Sequence, residues 1–264
     1  MIALLALLLG SMQPAEKPAS PIKRAHAHND YEHKRPLLDA LDQGFCSVEA
    51  DIWLSKDSLL VAHTPIGLKP ERTLQKLYLD PLRERVKANG GKVHRDGPPF
   101  YLLIDIKTEA KPTYAALAKV LEEYSDLLTA TRDGKHEVKA ITVVISGNCD
   151  RDAIAKQGVR YAAIDGRPAD LDSDASADLI PWVSASWSSM FKWKGEGAMP
   201  ADERKKLADH VAKAHAQRRK VRFWATPEKL ELWRELLKAD VDLINTDELV
   251  ELRGFLLKEA GKPQ

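Results

Sequence analysis

The chain has 264 residues, 44% hydrophobic and 30% charged, with a formal net charge of +1. Apolar content at this level, with charges of both signs interspersed, excludes a disordered chain. The near-zero balance excludes a polyanion track for nucleic acid.

In chain order, the first feature is an unbroken apolar run, Ile2 to Leu9, followed by Gly10, Ser11 and a Pro-rich stretch from Pro14 to Pro21. The run is too short to span a bilayer and has the size of a signal-peptide core. Residues 1–21 are therefore expected to be a leader, and the protein to be exported to the periplasm or the extracellular space without stable membrane insertion. A tag-like disordered terminus is the alternative. Residues 22–264 are expected to form one barrel domain.

Short apolar strands then alternate with amphipathic helices. The predicted strands are Ile22–His28, Ser47–Trp53, Tyr101–Ile106, Ala140–Ile145, Arg160–Ile164, Pro181–Ala185, Val221–Ala225 and Asp242–Asn245. Helices are predicted over Thr113–Leu128, Asp202–Gln217 and Pro227–Lys238. In the first, Tyr114, Leu117, Leu121, Tyr124 and Leu128 form one stripe. In the last, Thr226 reads as the N-cap, with Leu230, Trp233 and Leu237 facing inward. Ser55-Lys56-Asp57-Ser58 reads as a tight turn that sends Leu59–Ala62 back as a hairpin arm. The basic run Arg218, Arg219, Lys220, Arg222 ends a helical pattern and reads as structural. Cys46 and Cys149 fall at opposite barrel ends, too far apart for a disulfide. Eight strands alternating with helices predict a single (β/α)₈ TIM barrel, with chemistry at the C-terminal strand ends.

Those ends carry the informative residues. In Val48-Glu49-Ala50-Asp51-Ile52, strand alternation points both carboxylates the same way. In Ile104-Asp105-Ile106-Lys107, Asp105 and Lys107 likewise share a face. Glu49, Asp51 and Asp105, with the Asn29 carbonyl, make an oxygen-rich set suited to Ca²⁺ or Mg²⁺. Lys107 would stabilise charge on a phosphoryl oxygen. His26 and His28 lie on one strand face, so one can react while the other orients it or the substrate. His63 follows the hairpin arm, and imidazoles pass protons near neutral pH. Asn148 and Trp224 lie at later strand ends, where Trp224 can pack a sugar or glycerol face. The remaining histidines receive no role. Trp182, Trp187, Phe191 and Trp193 form either an apolar rim or a lid around a ligand.

His28-Asn29-Asp30-Tyr31, Val48-Glu49-Ala50-Asp51-Ile52-Trp53, Val61-Ala62-His63 and Ile104-Asp105-Ile106-Lys107 resemble the phosphatidylinositol phospholipase C-like phosphodiesterase superfamily, which includes glycerophosphodiester phosphodiesterases. The group named for altered inheritance of mitochondria protein 6 is the nearest, with ISGN, RFWATP and INTDEL following in order. The resemblance implies His28 and His63 as the two catalytic histidines. It also implies Asn29, Glu49, Asp51 and Asp105 as metal ligands, and Lys107 as the lysine of the Glu-x-Lys pair. There is no His-Arg-Gly, so the phosphate-binding arginine is unassigned; Thr64 follows His63 in place of Asp, and Asp105 replaces Glu. The expected function is a metal-dependent phosphodiesterase acting on a small phosphodiester, glycerophosphodiester- or phosphoinositide-like. Two other readings compete: a catalytically silent barrel binding a phosphate or sugar head group, and an amidohydrolase-type metallohydrolase. The second would use His26-Ala27-His28, but the later strand ends lack the further histidines it needs. The sequence leaves the oligomeric state open.

Overall fold

The computed structural model of the protein describes residues 19–261. The leader expected at the N-terminus lies, through residue 18, outside the described residues. The strands are β1 (Ala25–Ala27), β2 (Ser47–Ser55), β3 (Ser58–Val61), β4 (Phe100–Ile106), β5 (Ala130–Arg132), β6 (Lys135–Glu137), β7 (Ile141–Gly147), β8 (Val159–Arg160), β9 (Ala162–Gly166), β10 (Trp182–Ser186), β11 (Lys220–Trp224) and β12 (Leu243–Thr246). β1, β2, β4, β7, β9, β10, β11 and β12 are parallel, and β1 closes the barrel by pairing with both β12 and β2. The predicted TIM barrel is the observed fold.

The helices are α1 (Leu38–Asp42), α2 (Asp80–Ala88), α3 (Ala110–Glu123), α4 (Arg151–Lys156), α5 (Trp187–Met190), α6 (Ala201–Ala216), α7 (Leu230–Lys238) and α8 (Leu249–Ala260). Alternation along each strand divides the core. Leu102, Ile104 and Ile106 of β4 join the large cluster, which also takes in the buried helix faces. Leu103, Val144, Ala163, Trp182 and Leu243 form a separate cluster inside the barrel, with Tyr101 packed against it. This apolar plug fills the lower half, so the polar inward residues are confined to the upper half.

Several boundaries differ from the sequence reading. The first strand shortens to three residues, and Ile22 makes only an isolated bridge with Phe45. The third predicted helix begins at Leu230 with Lys229 as its N-cap, not at Pro227 behind Thr226. The reason is Glu228, which accepts hydrogen bonds from Thr246 Oγ1 at 2.8 Å and the Asp247 N–H at 2.9 Å and so ties this segment to the end of β12. Leu230 is consequently exposed, while Leu232, Trp233 and Leu236 are buried. Arg160 leaves the barrel to join an antiparallel sheet of β5, β6 and β8 that the sequence reading did not foresee. The hairpin is present: β3 runs antiparallel to β2 with Ser55 opposite Ser58. Both cysteines are free.

Candidate active site

The barrel's parallel register places Asp51 of β2 beside Asp105 of β4, one step above Glu49. Ligand oxygens from Glu49, Asp51 and Asp105 all lie within 4.8 Å of one another. Lys107 Nζ lies 3.0 Å from both Asp51 Oδ2 and Asp105 Oδ1. Burial raises the pKa of Asp51 to about 6; Tyr31 and Lys107 work against that rise and the Glu49 charge adds to it. Burial also raises Asp105, more than Lys107 lowers it. Asp51 Oδ1 is buried with no hydrogen-bond partner. An orphaned carboxylate oxygen within a cluster of hard donors fits a divalent cation, which would satisfy it and remove the repulsion.

Glu49 behaves differently. Its burial would raise its pKa, but the Arg222 charge first, and the neighbouring His26 and His28, hold it well below the usual carboxylate range. Arg222 Nη2 donates to Glu49 Oε2 at 2.8 Å, and Arg222 Nε donates to Asn245 Oδ1 at 2.8 Å. His26 lies beneath these groups, fully buried, with Nδ1 2.7 Å from Ser47 Oγ and Nε2 3.5 Å from Glu49 Oε2. Burial, then the Arg222 charge, lower its pKa to about 4, so the ring is neutral at pH 7.

The other two histidines stand above. His28 Nδ1 is 2.8 Å from Asp247 Oδ1, and Nε2 is 4.0 Å from Glu49 Oε2. Burial alone would lower the pKa of His28; the hydrogen bond to Asp247, with the charges of Glu49 and Asp247, raises it instead. His63 follows β3 and is 60% exposed, with Nδ1 3.0 Å from Tyr31 Oη and 3.4 Å from Asp51 Oδ2. Tyr31 Oη also lies 2.6 Å from Asp51 Oδ2 and 2.7 Å from Asn29 Oδ1. Asn29 adopts a left-handed φ of 46°, and its Nδ2 reaches Asp247 Oδ1 at 3.3 Å.

A cleft of about 280 Å³ is walled by His28, Asn29, Glu49, Asp51, His63, Asp105, Lys107 and Trp224, together with Ser146, Gly147, Arg167 and Arg222. Two residues singled out from the sequence are not on its wall. His26 lies below it, and Asn148 donates Nδ2 to the Thr108 carbonyl at 2.9 Å, pinning the chain after β4. Gly147 is required where it stands, since a Cβ there would come within 2.3 Å of Asp105 Oδ1. The aromatic lid is corrected. Trp182 belongs to the plug, Trp187 and Phe191 pack at 4.3 Å between centroids, and Trp193 is buried, so all four rings serve packing.

The sequence reading missed two cations on the wall. Arg222 sits in the run read as structural. Its signal was strand alternation, which puts it on the same face as Trp224 and apart from Val221 and Phe223. Arg167 Nη1 donates to Asp165 Oδ2 at 2.7 Å and Nη2 to Ser146 Oγ at 3.2 Å. It follows β9, and nothing local marks it. Tyr31, in the His28-Asn29-Asp30-Tyr31 motif, places its hydroxyl between His63 and Asp51.

Residues 16–165, more than half of the chain, match the AIM6-like phosphodiesterase domain. The chain belongs to this family, within the glycerophosphodiesterase and phospholipase C-like superfamily. Residues 220–249, which carry Arg222 and Trp224, match the glycerophosphoryl diester phosphodiesterase family, whose members are hydrolases. Altered inheritance of mitochondria protein 6 of Eremothecium gossypii is 30% identical over 270 residues, covering 89% of this chain and 69% of that protein. The homolog from Arthroderma benhamiae is 28% identical over 260 residues, covering 87% and 82%. A crystal structure of a glycerophosphodiester phosphodiesterase from Parabacteroides distasonis superposes with a TM-score of 0.55 at 13% identity, covering 92% of this chain and 100% of that one, which is a likeness of fold.

Proposed function

We propose that the chain is a metal-dependent phosphodiesterase acting on a small polar phosphodiester, glycerophosphodiester- or phosphoinositide-like. The observation that carries this reading is the placement of His28 and His63 in one cleft with three converging carboxylates. Glu49, Asp51 and Asp105 would hold calcium or magnesium, with an Asn29 oxygen as a further ligand. When bound, the cation supplies charge neutralisation at phosphorus and acidity at the attacking hydroxyl.

The chain's own groups do the rest. Lys107 and Arg222 balance the phosphodiester charge, and both are fixed by carboxylates. His63 has Nδ1 beside Tyr31 and Asp51, which leaves Nε2 to take a proton from a substrate hydroxyl or water. His28, whose charged form is favoured by Asp247, gives its proton to the leaving alkoxide. One P–O bond forms to the incoming oxygen and one breaks to the leaving group. Trp224, 41% exposed on the wall, offers a flat face to a sugar or glycerol.

No helix among the described residues is long and apolar enough to cross a membrane. The apolar run Ile2–Leu9 supports export, testable by N-terminal sequencing of protein recovered from the medium or periplasm.

His28→Ala and His63→Ala should each lower turnover about a hundredfold or more. A nitrophenyl phosphodiester, whose leaving group needs no proton, should rescue His28→Ala alone. The assay is alcohol release from glycerophosphodiesters, lysophospholipids, inositol phosphodiesters and cyclic nucleotides, with Ca²⁺ or Mg²⁺ and a chelated blank. Silence across that panel with metal bound would favour the head-group-binding barrel.

A further inference from the structure

A second cavity lies at the opposite mouth of the barrel. It measures about 510 Å³, against about 280 Å³ for the catalytic cleft. Its floor is the underside of the apolar plug, where Tyr101, Thr142 and Ala163 lie near the starts of β4, β7 and β9. One side is the antiparallel sheet of β5, β6 and β8, and the other is the turn from α6 into β11.

The charge at this mouth is unbalanced. Arg160 and Arg219 are 7% and 2% exposed, and buried guanidinium groups ordinarily pair with carboxylates. Among the described residues neither does. Arg160 donates to the backbone carbonyls of Ala162 and Asp178 at 3.0 Å and to Thr131 Oγ1 at 3.0 Å. Arg219 donates to the carbonyls of Asp170 and Ala175. Each guanidinium is hydrogen-bonded to backbone carbonyls, Arg219 Nε is left without a partner, and neither group has a carboxylate within 4.0 Å among the described residues. Arg218, exposed beside them, has no side-chain hydrogen bond or ion pair among the described residues, and Lys220 reaches Asp242 only at 3.7 Å. Two carboxylates line the mouth against four cations: Asp242 takes His215 Nε2 at 2.8 Å, and the half-exposed Asp178 has His136 Nε2 3.9 Å away. The Tyr101 side chain packs on Trp182 at 5.2 Å between centroids, and its hydroxyl has no hydrogen-bond partner among the described residues.

An excess of cations beside an aromatic ring and small apolar side chains is complementary to a particular kind of molecule. We propose that this mouth is a second ligand site, for a small organic anion that carries a phosphate, sulfonate or carboxylate on a planar ring. Arg218 and Lys220 receive the oxyanion, the two buried arginines add field, and Tyr101 supports the ring and offers its hydroxyl. The site shares no lining residue with the catalytic cleft, so it stands or falls independently of the phosphodiesterase reading.

The test is titration of the purified chain with 1-anilinonaphthalene-8-sulfonate, a ring sulfonate whose fluorescence rises away from water, with stoichiometry from equilibrium dialysis. One saturable site per chain is expected. Arg218→Glu should weaken it about tenfold or more, the scale for losing a charge-assisted contact and adding repulsion. Ala177→Trp, which narrows the mouth, should abolish it. His63→Ala, at the far end of the barrel, should bind as the parent does. Melting curves matching the parent keep the comparison on folded protein. Absence of saturable binding, equal binding by both mouth variants, or loss in His63→Ala would overturn the proposal.

Discussion

Arg222 makes Glu49 tolerable inside the barrel. A buried carboxylate without its partner keeps its desolvation penalty, and removing one member of a buried pair costs about 3–5 kcal/mol. Arg222→Met should therefore lose stability on that scale in chelator, read by urea unfolding, and divalent cation should restore part of it. A loss equal with and without cation would separate Glu49 from the metal site. Asp247 has a kinetic counterpart. It holds the pKa of His28 up against the effect of burial, so the proton-donor form persists to higher pH and is lost as pH rises through that pKa. Asp247→Asn should thus move the alkaline limb of the rate profile to lower pH. An unmoved limb would take the donor role from His28. At this scale, Glu49, Asp51, Asp105 and Lys107 were legible because charges on alternate positions of an apolar strand are costly to bury unless a counter-charge or an ion meets them. Asp247 was legible only as a strand-end residue, and Tyr31 and Arg167 were not legible, since their roles arise from contacts across the chain, such as the approach of Tyr31 Oη to His63 and Asp51.

Among the elements, the β2–β3 hairpin sets the position of His63. Trp53 Nε1 donates to the Ala62 carbonyl at 2.8 Å, so the residue before His63 is anchored to the strand that carries Asp51. The turn holds Lys56 at a φ of 53°, a conformation that costs a side chain about 1–2 kcal/mol. Lys56→Gly should relieve part of this and raise the melting temperature without changing turnover. A fall would mean that unfolded-state entropy outweighs the strain. The turn was readable from Ser55-Lys56-Asp57-Ser58, and the barrel strands from their apolar runs. The small sheet of β5, β6 and β8 was not, because strands of two or three residues carry no period. The start of α7 misled for another reason: Thr226 and Pro227 have the chemistry of a helix start, but the long-range tether at Glu228 overrides local propensity.

For the whole molecule, the barrel separates an apolar interior from a charged one by height. The plug of Tyr101, Leu103, Val144, Ala163, Trp182 and Leu243 keeps the lower interior apolar, and the upper interior gathers charge. The location of the candidate site was legible once eight strands were counted, because parallel strands deliver their C-terminal ends to one face. The charged cavity beneath was not, since it depends on which carboxylates fail to reach Arg160 and Arg219.

With a cation held as proposed, this concentration of charge should make global stability respond to cation and to pH together. In the metal-free protein the folded-state pKa of Asp51 is raised to about 6 from 3.8, so the folded form holds its proton more tightly than the unfolded chain does. Its contribution to stability therefore falls as pH rises from about 4 to about 6 and stays low above that. A cation bound to the ionised trio reverses this loss. At a concentration near a hundred times its dissociation constant it should add about 2.7 kcal/mol at pH 7, or roughly 5–10 °C for a chain of this size. The increment should shrink as pH drops below about 6, where the proton competes for Asp51. Glu49→Gln, compared with its own chelated form, should show little or no increment. Differential scanning calorimetry from pH 5 to pH 8, with calcium, magnesium or chelator, reads both effects in one series. A cation shift that persists undiminished at pH 5, or in Glu49→Gln, would place the ion elsewhere on the protein.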